Sequence, residues 1–198
     1  MSKKKGIIGV GYRLLAGSSA IVWLASTEAG GREYNAQPRG GVQEVYADSV
    51  MAFADNEDDG YDLTLTLLDI IDDVAVDWLG EIKDSKGRAE YADGKEYPAF
   101  ELYIIEATRD GTGKTTIYYN CQCSGRPTVS GKTKEGAGNN FDYFFPEYAI
   151  TARPRVSDNL VKYEVDGKER FTVVPEPETA GTSNEEPAET SNAQQPAG

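Results

Sequence analysis

Three stretches of the chain carry residue types at spacings that could do chemistry, and in each the neighbouring residues decide. Gly113-Lys114-Thr115, within ATRDGTGKTTIYYNCQC (107–123), has the ending of a phosphate-binding loop, G-x-x-x-x-G-K-[ST]. That loop works because backbone N–H groups at a helix N-terminus face the phosphates. Here the first glycine of the pattern falls on Thr108, and the residues after the lysine are β-branched and aromatic, the composition of a strand. No helix N-terminus receives a phosphate, so the stretch is a turn.

Asp55, Glu57, Asp58 and Asp59 before Gly60 superficially suggest a calcium loop. They miss the spacing of D-x-[DN]-x-[DN]-G-x₅-E and its terminal glutamate. In DIIDDVAVDW, Asp69, Asp72 and Asp73 offer a carboxylate cluster for a metal. Ile71, Val74, Ala75, Trp78 and Leu79, however, fall on one apolar stripe at helical spacing. The acidic residues suit the positive end of a helix over about 70–80, and Gly80 is placed to stop it.

Cys121 and Cys123 are the two cysteines. Two apart on a strand, they share a face, where a disulfide is strained. The expectation is two reduced, half-buried thiols. With no histidine in 198 residues, Ser-His and Cys-His arrangements are excluded, and the commonest soft metal ligand is missing. Paired glycosidase carboxylates remain a formal option, but among 33 acidic residues such pairs arise by coincidence. The sequence therefore names no catalytic, cofactor-binding or metal residue and no cofactor, and the chain is not read as an enzyme.

The elements that position these residues are mostly strands. IIGVGYRLLA and SAIVWLAS lie near the start, and in YDLTLTLLDI Leu63, Leu65 and Leu67 alternate with Thr64 and Thr66. AFELYIIEA and TTIYYNCQC form a hairpin with RDGTGK at its tip, Arg109 and Lys114 keeping that tip wet. On its second arm Ile117, Tyr119, Cys121 and Cys123 are expected on one face, with Tyr118, Asn120 and Gln122 on the other. NNFDYFFPEYAITARPR gives another strand, with Phe141, Tyr143 and Phe145 alternating before Pro146. LVKYEV and KERFTVV, joined by Asp166-Gly167, have the pattern of a type I′ hairpin. The fold class is mainly β: an antiparallel β-sandwich or barrel with one flanking helix.

Between Thr27 and Tyr61 the chain is poor in apolar residues and carries Gly30-Gly31 and Gly40-Gly41, which predicts a long loop near 27–61. Within it QEVYADSVMAFAD is compatible with a strand pair. From Pro175 the composition turns to Pro, Glu, Thr, Ser, Asn and Ala without aromatic or large aliphatic residues. Such a segment cannot bury enough surface to offset its conformational entropy. Residues 1–174 are thus the folded domain and 175–198 a disordered acidic tail.

The net charge is −13. The tail holds five of the 33 acidic residues and no basic one, which leaves 28 acidic against 20 basic residues in the body, a net of −8. Counterion release on nucleic acid or anionic membranes needs clustered Lys and Arg, so this surface does not grip either. No stretch approaches the roughly 18 apolar residues of a membrane span. Arg13 interrupts the apolar run of MSKKKGIIGVGYRLLAG and no A-x-A site follows, so no signal peptide is expected.

The order of these segments resembles the major tail protein (tail tube protein) family of long-tailed, non-contractile phages. The resemblance runs over roughly residues 40–156: Tyr46-Ala47-Asp48 in EVYADSVMAFAD, then GYDLTLTLLDI, the acidic helix stopping at Leu79-Gly80, the 99–123 hairpin, Thr133-Lys134 in KTKEG, and Phe141 to Arg155. It is carried by order and spacing together. It implies a structural virion protein with a β-sandwich core and a flanking helix, forming hexameric rings that stack into the tail tube. DNA passes through the lumen, and a long loop and the chain ends reach neighbouring subunits. The implied partners are further copies of the chain, the tape measure protein, and tail terminator and tail-tip proteins. The implied location is the virion, after assembly in the host cytoplasm. Acidity suits such a tube, since a negatively lined lumen repels a polyanion bearing about one charge per 1.7 Å. The rival expectation is a β-rich adhesion or decoration module on a virion or cell surface that binds a receptor or glycan, for which the 12 tyrosines offer aromatic faces.

Overall fold

The structure is a computed structural model and describes residues 4–17, 20–27, 30–47, 50–92, 94, 96–128 and 144–177. The elements run β1 (Lys4–Leu14), β2 (Val22–Trp23), β3 (Gly31–Ala47), β4 (Val50–Leu67), α1 (Asp72–Leu79), β5 (Ile82–Lys83), β6 (Arg88–Ala89), β7 (Phe100–Thr108), β8 (Lys114–Cys123), β9 (Glu147–Ala152) and β10 (Lys162–Asp166). One eight-stranded antiparallel sheet has the order β2-β1-β7-β8-β9-β4-β3, with β10 also paired to β8. The mainly β, single-helix fold expected from the sequence is the fold observed.

The sheet curls until its two ends meet. A Cβ on Gly31 of β3 would stand 2.4 Å from Cγ2 of Val10 on β1, so glycine is what lets the strands approach. The two strands are not hydrogen-bonded to each other, which makes the closure a seam rather than a ladder. Inside the curl Val10, Leu63, Leu65, Leu67, Leu102, Ile104, Tyr118 and Ile150 form one core. Burying each such side chain is worth about 2 kcal/mol. The alternation of Leu63, Leu65 and Leu67 with half-buried Thr64 and Thr66 is as expected.

Helix α1 caps that core through Trp78, stacked on Phe100 with ring centroids 4.6 Å apart and edge-on to Tyr12 and Tyr148 at 5.5 and 5.4 Å. Asp72 and Asp73 occupy its first turn and Gly80, in the left-handed region at φ 68°, ends it. The Tyr12 hydroxyl donates to Asp77 Oδ2 at 2.5 Å and ties the helix to β1.

Strand β8 departs from the expected face assignment. Phe100 pairs with Cys121 but Leu102 pairs with Tyr118, so β8 spends one extra residue between them. Asn120 takes it up as a β-bulge with φ 45°. The bulge shifts the phase: Ile117 and Tyr119 pack with Tyr103 in a second cluster on the opposite face, while Tyr118, Cys121 and Cys123 enter the main core. Both cysteines are free and buried, more deeply than the half-buried state expected.

Three further expectations are corrected. The long loop near 27–61 is a β-hairpin, β3 and β4 pairing in register from Gly31↔Leu67 to Ala47↔Val50. A ribbon whose backbone groups bond to each other needs no apolar alternation, which is why hydropathy does not reveal it. The Asp166-Gly167 hairpin does not form. Strand β10 pairs with β8 instead, and after Gly167 (φ 128°) the chain leaves the sheet to set Phe171 against Trp23 and Tyr103. Aromatic burial there outweighs the water-exposed bonds of a short hairpin. Strand β9 begins only after Pro146; Phe145 lies under the Arg32 guanidinium at 3.8 Å, and Phe141 and Tyr143, like Thr133-Lys134, lie outside the described residues. Of the proposed acidic tail, residues 175–177 are described and 178–198 lie outside.

Candidate assembly surfaces

The residues singled out for chemistry are all engaged in holding the fold. At the β7–β8 turn Asp110 Oδ1 accepts from Thr108 Oγ1, Thr112 N and Thr112 Oγ1 at 2.6, 3.1 and 2.7 Å, and Gly113 N donates to Thr108 Oγ1 at 2.7 Å. Lys114, the lysine of the apparent phosphate loop, pairs with Glu164 of β10 rather than facing a cavity. Asp72 pairs with Lys83 and Arg88, each at 2.9 Å, so the helix carboxylates meet cations of the β5–β6 hairpin. Asp58 Oδ1 accepts from Gly60 N at 3.2 Å; the side chains of Asp55 and Glu57 lie outside the described residues. Among the described residues no cluster of three or more potential ligands could hold a metal. Burial raises both thiols, Cys121 well above its ordinary value and Cys123 to about 12, which leaves them protonated and inert.

Two buried carboxylates, Glu101 and Glu106, went unnoticed at the sequence level. Arg13 grips Glu101 with Nε and Nη2, both at 2.8 Å, and the Tyr103 hydroxyl donates to the same carboxylate. Arg13 and Glu101 stand opposite each other across β1 and β7, a relation visible only once register is known. Tyr34 of β3 donates to Glu106 Oε2 at 2.9 Å. These contacts rigidify β1, β3 and β7, and through them the seam.

What the body presents outward is strand edge and one projection. Strand β4 is paired to β9 from Tyr61↔Ala152 to Thr66↔Glu147 and no further. Beyond that point β3 and β4 continue as a two-stranded arm, residues 40–47 against 50–58, with no third strand among the described residues. At about 3.3 Å per residue the arm is about 25 Å long. A register shift between Arg39 and Gly40 marks where it leaves the body. Gly60 makes that departure possible: its φ is 102°, and a Cβ there would stand 2.1 Å from the Ala152 carbonyl oxygen. The bulge re-aims the ribbon away from the sheet.

The outer edge of β3 is free of partner strands, as is that of β1 before its pairing with β2 at Gly11↔Trp23. The seam between these edges opens into an apolar groove of about 330 Å³, where Ile8 and Leu68 are exposed. Unpaired edges are templates for pairing with another chain. Pro38 and the charged Arg32, Glu33 and Arg39 interrupt the β3 edge, which restricts what can add to it. No helix among the described residues is long and apolar enough to cross a membrane. No protein-family model matches the chain, and comparison with curated proteins yields no match.

Proposed function

We propose that the chain is a structural protein that self-assembles into rings, of six copies in the resembled family, stacked into a phage tail tube. The observation that carries this reading is the arm. A two-stranded ribbon about 25 Å long buries little against its own body, and two strands alone are marginal in water. A second copy laid against it supplies the missing third strand or covering face. A ring that also stacks needs two different complementary surfaces on each subunit, and the arm and the free edges beside the seam are two such surfaces.

The charge supports the same reading. With −13 on each copy, like charges oppose close approach, and the assembled wall repels DNA instead of binding it. Some of the body's carboxylates then line the lumen, and DNA slides past them. Replacing lumen carboxylates with lysine should slow DNA ejection; unchanged ejection counts against a lumen role.

The test of the arm is direct. Replacing residues 41–57 with a two-residue Asn-Gly turn closes the hairpin near the body. Sedimentation of this variant should show a folded monomer under conditions where the intact chain forms rings or tubes. A shortened chain that assembles as well as the intact one would remove the arm from the account.

A further inference from the structure

The segment after β10 covers the second apolar cluster without joining the sheet. From Gly167 to Pro177 it forms no strand and is held by side chains. Trp23 Nε1 donates to the Phe171 carbonyl at 3.1 Å, and the Phe171 ring lies edge-on to Trp23 and Tyr103 at 5.5 and 5.3 Å. Val174 is buried against Tyr103, Ile117 and Tyr119, whereas Val173 faces solvent. At the far end Arg155 takes Glu176 with Nη1 and Nη2 at 3.0 and 2.8 Å.

Arg155 also holds Asp158, three residues away, with Nε at 2.9 Å and Nη2 at 2.5 Å. The two carboxylates therefore share one guanidinium, and Nη2 donates to both. When Glu176 leaves, Arg155 keeps its local partner and no cation is orphaned. Leaving a charge unpaired is the main cost of breaking such contacts, and here it is avoided. The closed state has a cost of its own: the Tyr119 hydroxyl, under the ring-stacked Arg155, is buried without a partner. Opening lets water reach it.

We propose that residues 168–177 are a releasable strap, keyed by the exchange of Arg155 between Asp158 and Glu176, whose opening uncovers the Trp23–Tyr103–Tyr119 face. The strap swings from Gly167, whose N–H is tied to the Gly113 carbonyl at 3.2 Å. The inference stands on this geometry and does not depend on the tube reading.

Hydrogen exchange on the full chain tests it. Glu176→Gln removes the charge that closes the strap and should speed exchange at residues 168–174 and 176 about fivefold, with β7 unchanged. Asp158→Asn keeps an oxygen for the Leu160 N–H but removes both the competitor for Arg155 and the like charge beside Glu176. It should slow the same amides. Iodide quenching should rise for Trp23 in Glu176→Gln while buried Trp78 stays protected. Unchanged exchange in Glu176→Gln, or acceleration in both variants, overturns the strap: Arg155 is then a general structural tie.

Discussion

Gly60 and Ala152 are in contact at a distance no side chain permits, 2.1 Å from an ideal Cβ on Gly60 to the Ala152 carbonyl oxygen. This pair is where β4 parts from β9 and the arm begins. Gly60→Ala must therefore distort either the last ladder pair or the bulge, at a backbone φ of 102° that alanine also resists. The expected loss is about 1–3 kcal/mol by urea unfolding. It should be accompanied by faster hydrogen exchange in residues 58–63 before any other strand of the sheet. A variant as stable as the parent contradicts the close approach.

Asn120 sets the phase of β8, so its substitutions should sort by tolerance of positive φ. Asn120→Val places a β-branched residue at φ 45° and is expected to cost about 2 kcal/mol. Asn120→Gly keeps the backbone at ease and loses only the Nδ2 bond to the Pro154 carbonyl at 3.3 Å. It should stay within about 1 kcal/mol of the parent. Equal costs in chemical denaturation would show that the bulge is not needed.

Arg13 neutralises Glu101 in the sheet, the Glu101 side chain being 3% exposed. Arg13→Met keeps the stem and leaves a buried carboxylate with the Tyr103 hydroxyl as its remaining named donor. The expected cost is about 3 kcal/mol in unfolding free energy. The double change with Glu101→Gln should recover part of it, and failure to recover any would contradict direct pairing.

High pH should destabilise the fold. Cys123 is raised from 9.0 to about 12 by burial, and Cys121 shifts the same way. A raised folded-state value means the stability is fully present below pH 9 and is lost as pH climbs toward 12. The slope is about 1.4 kcal/mol per pH unit for each thiol within that window. The phenols of Tyr12, Tyr103, Tyr118 and Tyr148, raised chiefly by burial, steepen the loss. Replacing both cysteines with alanine should flatten stability between pH 9 and 11, measured by thermal unfolding. An unchanged slope contradicts buried, protonated thiols.

What was legible in the sequence was what depends on local pattern. Leu63, Leu65 and Leu67 announce a half-buried strand, Ile71 to Leu79 a helix, and RDGTGK a hairpin tip, because each signal is complete within one element. What depends on a partner was not legible. One residue, Asn120, inverts the faces of everything after it, and a polar ribbon such as GGREYNAQPRGG bonds to a strand that lies far along the chain. Phe171 looked like strand because its alternation is genuine, but the ring found Trp23 instead. The candidate assembly surfaces were foreseen only as a long extension, since hydropathy does not report an edge.

The central claim, self-assembly through the arm and open edges, is tested most directly by negative-stain microscopy of the intact chain at low and high salt over a range of concentrations. Screening should relieve the repulsion between copies carrying −13 each, so rings or tubes around a central channel are expected, more of them at high salt. Compact monomers under every condition would contradict the tube and turn attention to receptor or glycan binding.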